Sequence, residues 1–161
     1  LAPRLGLIED DPVVRAQANG LVMTLADLMT EVHDTHHPVS GSLYYEDQKV
    51  EALAAAKAFR EARLPRFVSH FEKTLVRSGG PYLFGATFCY ADLVLFQVVA
   101  GLRYAFPNAF ARQDTPELAA HHDRVAARER IAAYLASPRR IAFNSDGIFR
   151  HYPELDPPNA A

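Results

Sequence analysis

The sequence predicts an all-α fold, a bundle of about five helices around one buried central helix. Apolar and small residues recur at alternating steps of four and three, as in Val14, Ala18, Leu21, Leu25, Leu28 and Val32. That is the period of one helix face. No run of alternating apolar and polar residues is long enough to suggest a sheet. Residues 91–102 are apolar on nearly every face, with Leu93, Val94, Leu95, Phe96, Val98 and Val99. A helix of that kind must be enclosed by others.

The elements follow in order. Residues 1–7 read as a helix end running into a connection at Gly6, and a chain that opens on Leu1 is expected to be part of a longer one. Asp10-Asp11-Pro12 starts the first long helix, with an acid as cap and Pro at the first helical position. Pro38, Ser40 and Gly41 break it. A second helix is expected from Tyr45 or Glu46, with Val50, Leu53, Leu64, Phe67, Val68, Phe71 and Leu75 on its apolar face. Ala52, Ala54, Ala55, Ala56 and Ala58 add propensity and allow close approach. Pro65 removes a backbone donor and should kink this helix without ending it, because the stripe continues. Ser78-Gly79-Gly80-Pro81 closes it, and the apolar third helix comes next. Thr115-Pro116-Glu117 opens a fourth helix, with Leu118, His122 and Val125 on its face. Ile131, Tyr134 and Leu135 mark a short fifth, stopped before Pro138. Residues 139–161, with Gly147, Pro153, Pro157 and Pro158, read as an irregular strap.

With 161 residues, 49% of them apolar, the chain suffices for one domain with a proper core. A formal net charge of −2 gives no electrostatic case for a nucleic-acid partner. The single cysteine, Cys89, excludes a disulfide within the chain and suits a reducing cytoplasm, the expected location. No apolar run approaches the ~18 residues of a membrane-spanning helix.

The segment Tyr82-Leu83-Phe84-Gly85-Ala86-Thr87-Phe88-Cys89-Tyr90-Ala91-Asp92-Leu93 is the most informative. Asp92, at the third helical position, can reach back to the backbone N–H of the cap residue and sits at the positive end of the helix. The cap position holds Cys89, whose thiol is a weak acceptor, so half of a reciprocal capping box is weakened. Both residues read as structural. The pattern resembles the signature of the glutathione S-transferase C-terminal helical domain, and the resemblance extends over essentially the whole chain. Residues 1–9 then look like the end of a thioredoxin-like domain with its linker, and 10–161 like the C-terminal domain. Thr24-Leu25-Ala26-Asp27-Leu28-Met29 resembles sigma-class-like members, and the segment from Gly147 to Leu155 resembles the tail of bacterial ones.

That resemblance implies a transferase domain for joining glutathione to electrophilic small molecules, a detoxifying reaction. It implies glutathione as co-substrate, bound mainly by an N-terminal thioredoxin-like domain that activates its thiol, and a homodimer. No catalytic residue is expected in this chain, and the isolated chain is expected to be inactive. Asp27 matches the position whose carboxylate meets the glutathione amino group across the dimer; its bland reading is a solvated acid on a helix face. Met29 matches a pocket-lining position, and His33, one turn on, faces the same way; core packing is the alternative for Met29. The competing function is a noncatalytic helical interaction module.

Other residues carry weaker signals. His33, Asp34, His36 and His37 form a ligand-like cluster, but the helix ends there and capping by histidine is the better expectation; no metal is assigned. His121-His122-Asp123 is an echo of it. Cys89 lacks the surroundings of a nucleophile. Tyr44 and Tyr45 are expected to cover apolar surface, with a pocket or interface position as the alternative, and Arg139 and Arg140 to pair with nearby carbonyls and acids.

Overall fold

The structure, a computed structural model, describes residues 1–158. Residues 159–161, the end of the expected domain and strap, lie outside the described residues. The helices are α1 (Pro12–Asp34), α2 (Lys49–Ala58), α3 (Leu64–Ser78), α4 (Tyr90–Ala105), α5 (Pro107–Ala111), α6 (Pro116–Ala126) and α7 (Glu129–Leu135). A π-turn, Phe59–Arg63, joins α2 to α3. Isolated bridges Tyr82–Gly85 and Phe84–Thr87 are the only β-type pairing among the described residues. The fold is all-α, as the spacing requires. The chain groups into two compact units, to both of which α1, α3 and α4 contribute.

One unit holds Leu1–Ala26, Ser69–Ala100 and Thr115–Ala142. Asp11 caps α1 by accepting the N–H groups of Val13 (2.7 Å) and Val14 (3.0 Å). In α4, Ala91, Asp92, Leu95, Phe96, Val98 and Val99 are buried and Gln97 is exposed, so the apolar helix is enclosed on nearly every side. The cap of α6 departs from expectation. Thr115 makes no side-chain cap bond. The Glu72 carboxylate from α3 takes the N–H groups of Glu117 (3.0 Å) and Leu118 (2.9 Å) instead. The buried face of α6 is Leu118, His121 and Val125; His122, expected there, lies half-buried with its ring stacked on Phe96 at 4.8 Å. The register is shifted by one, and the buried His121 ring meets the Asp92 carboxylate at 2.9 Å.

The other unit holds Asp27–Val68, Gly101–Asp114 and the chain from Phe143 onward. Tyr45 and Glu46 do not open α2 but belong to a single 3-10 turn, Tyr45–Asp47. The expected apolar face of α2 is also corrected. Val50 is 77% and Leu53 46% exposed, while Ala52, Ala56 and, in the π-turn, Phe59 are buried. Alanine lets backbones approach closely, so here the small residues form the buried side. Helix continues through Pro65, and the extra residue of the π-turn is the distortion that accommodates it: the Leu64 N–H bonds back to the Phe59 carbonyl. Helix α5 carries no local start signal except Pro107. Its cap is remote: the Asp156 carboxylate accepts from the N–H groups of Asn108 (2.7 Å) and Ala109 (3.1 Å).

Candidate functional site

The second half of α1 carries the residues singled out for binding. Asp27 is exposed, while Met29 and His33, one turn apart, are half-buried on one face. Glu31, one turn beyond Asp27, is already engaged: the Arg63 guanidinium grips it through two bonds of 2.8 and 2.6 Å. Glu31 is thereby neutralised by a bidentate partner, and Asp27 is the carboxylate left to solvent on that side.

The histidines at the end of α1 form a ring cluster. His33 stacks on His37 at 4.8 Å, His36 meets His33 at 5.2 Å and His37 at 4.7 Å. The side chain of His36 does not cap α1. It is buried and its Nε2–H donates to the Ile148 carbonyl at 3.0 Å. Burial pushes its pKa down to about 4 against the Ile148 carbonyl bond, which raises it, and the nearby Arg150 and histidine rings act in the same direction as burial. His37 is lowered as well, by burial first. Among the described residues no group of three or more His, Cys, Asp or Glu side chains is arranged to hold a metal.

Asp92 and Cys89 lie at the start of α4. Asp92 is fully buried and its Oδ2 accepts the Cys89 N–H at 2.8 Å, the reach-back geometry of a capping residue. Its Oδ1 accepts the Leu83 N–H at 2.9 Å and lies 2.9 Å from His121 Nε2, which donates to it. Asp92 thus ties the turn before α4, the first turn of α4 and helix α6 together. The sequence did not reveal His121 as its partner; the available signal was its place between Leu118 and Val125 at steps of three and four. The Cys89 thiol is buried, and burial followed by the Asp92 charge pushes it up to about 11. A thiol held that high stays protonated near neutrality and is a poor nucleophile.

A cleft of about 660 Å³ lies elsewhere, lined in part by Leu5, Leu7, Phe88, Leu93, Arg128 and Ile131. The Arg128 guanidinium sits 3.7 Å from the centre of the Phe88 ring on this wall. None of Asp27, Met29 and His33 borders it.

A family model, "Glutathione S-transferase, C-terminal domain", matches residues 33–138. Its span includes His33, Cys89 and Asp92 but stops short of Asp27 and Met29. A glutathione S-transferase of Plasmodium yoelii yoelii is 24% identical over 112 residues, 70% of this chain and 49% of that protein. The chain therefore spans about half the length of the curated relative it matches. The solved structure of NaGST-2 has a TM-score of 0.60 at 21% identity, covering 87% of this chain and 65% of its own. At that identity the likeness is one of fold.

Proposed function

The chain belongs to the glutathione S-transferase family through its C-terminal domain, and we propose that it walls the electrophile pocket and helps form the subunit interface of a glutathione transferase. The match over residues 33–138 carries this proposal. A companion thioredoxin-like domain supplies the thiol activation, and glutathione is the co-substrate. The division of labour is supported by the only cysteine here being buried and protonated. Met29 and His33 contribute to the pocket wall. Asp27 accepts the glutathione ammonium of the neighbouring subunit, a role supported by its exposure and by the capture of Glu31 by Arg63. The exposed Val50, Leu53 and Tyr44 offer apolar area for a homodimer contact. The complete protein is expected in the cytoplasm.

The test uses the complete protein. A hydrogen bond to a charged group contributes about 1.5–3 kcal/mol, so Asp27→Ala should raise the Michaelis constant for glutathione by about tenfold or more. Its urea unfolding midpoint should barely move, since an exposed helix residue costs within about 0.5 kcal/mol. An unchanged Michaelis constant removes the carboxylate contact. The 161-residue chain alone should show no conjugation of a generic electrophile above the uncatalysed background. Robust turnover by it would overturn the division of labour.

A further inference from the structure

We propose that the His33–His36–His37 cluster is an acid-sensitive latch that fastens two segments, the α1–α2 loop (residues 35–48) and the C-terminal strap (residues 144–152), and lets both open on protonation. The latch stands on its own geometry and does not depend on the transferase assignment.

Each segment is met by one imidazole of the cluster. His36 is 1% exposed and gives its Nε2–H to the Ile148 carbonyl of the strap. Its Nδ1 is buried with no hydrogen-bond partner. A second proton would have to sit on that nitrogen, where no acceptor meets it. His37 works on the loop. Its Nδ1 accepts from the Gln48 amide Nε2–H at 3.2 Å. Gln48, 1% exposed, organises the loop from inside: its Nε2 also donates to the Ser40 and Leu43 carbonyls, and its oxygen takes the Val39 and Ser40 N–H groups. Those backbone donors fix which end of the amide faces His37. Protonated His37 would turn a donor towards a donor, and the contact would become repulsive.

The surroundings reinforce this. From the strap, Arg150 is held near the cluster by the carbonyls of Gly147 and Asp146 and disfavours charge on both His36 and His37. The Tyr152 ring lies 6.2 Å from His36. From α1, His33 adds like charge once protonated. Three contacts oppose: the Ile148 carbonyl favours the charged form of His36, and the Leu43 carbonyl and the exposed Asp34, 3.4 Å from His33 Nδ1, favour that of His37. Further along, Glu154 accepts the Tyr45 hydroxyl at 2.9 Å and its carboxyl is held below its usual range, so it keeps its charge while the histidines titrate.

The sign follows from proton linkage. With the folded His36 near 4 and the unfolded ring near 6.5, the opened form binds more protons between these values. Fastening is complete above about pH 6.5 and is lost as pH falls towards 4. At pH 5 the opened form should gain about 30-fold over its population at pH 7.5.

Amide hydrogen exchange of the protein at pH 7.5 and pH 5.0, expressed as protection relative to intrinsic rates, reads this directly. Residues 35–48 and 144–152 should together lose about 30-fold in protection at pH 5.0, while α4 does not change. His36→Gln, which keeps a donor for the Ile148 carbonyl and cannot titrate, should remove most of the pH dependence of residues 144–152, leaving in the loop only the part due to His37. Equal protection of both segments at the two pH values, or an undiminished pH dependence in H36Q, overturns the latch. Imidazole nitrogen shifts of the unsubstituted protein give a second measurement if that variant does not fold. His36 should remain the neutral Nε2–H form at pH 5.5; a ring already half-protonated there overturns the proposal.

Discussion

Asp92→Ala should lower the unfolding free energy by about 4 kcal/mol, because it leaves three buried donors without their acceptor. The substitution removes the acceptor for two backbone N–H groups, those of Leu83 and Cys89, and for His121 Nε2. All three donors are buried with Asp92, and His121 Nδ1 already lacks a partner, so the histidine would be left with neither nitrogen bonded. Unsatisfied buried groups cost about 1–3 kcal/mol each, so the sum exceeds the ~1 kcal/mol of an ordinary helix cap. Asp92→Asn, keeping one acceptor oxygen but turning an amide N–H towards donors, should fall between, at about 2 kcal/mol. Urea unfolding of each variant with an unchanged denaturant slope measures the effect. A loss below about 1 kcal/mol for Asp92→Ala would reduce it to a simple cap.

The network around Asp92 also shows what the sequence could and could not convey. The reach from Asp92 to Cys89 spans three residues, so spacing alone made it legible. The bond to His121 spans 29, and nothing local distinguishes His121 from His122 except helical register. The remote caps are harder still: Glu72 on α6 and Asp156 on α5 act across 45 to 48 residues. Periodicity found the helices because burial of one face imposes it. It failed on Val50 and Leu53 because an Ala-rich helix buries its small side, and apolar character then no longer marks the interior. The candidate site was legible in the same uneven way. The shared face of Met29 and His33 follows from a step of four, whereas Asp27 was singled out only by family resemblance. The capture of Glu31 by Arg63, and the role of His36 towards a carbonyl 112 residues away, had no local signal.

Gly101→Ala should destabilise the protein by about 2 kcal/mol, although helix propensity predicts a gain of about 1 kcal/mol from replacing glycine in a helix interior. Two effects compete at this position. A Cβ on Gly101 would lie 2.4 Å from the Phe149 ring, closer than real Cβ contacts come. Phe149 is 7% exposed, its ring lies edge-on to Phe143, and Phe143 stacks on Tyr104 at 4.9 Å, so the ring has little freedom to retreat. Overpacking costs about 1–3 kcal/mol, and expulsion of a buried Phe about 3–5 kcal/mol; either outweighs the propensity gain. The double-mutant cycle with Phe149→Ala separates the two. With the ring removed, the same Gly101→Ala change should become neutral or stabilising, because only propensity remains. If instead Gly101→Ala stabilises the protein with Phe149 in place, the ring does not seat on Gly101. The carbonyl of its neighbour Ile148 would then not be held beside His36 by that packing.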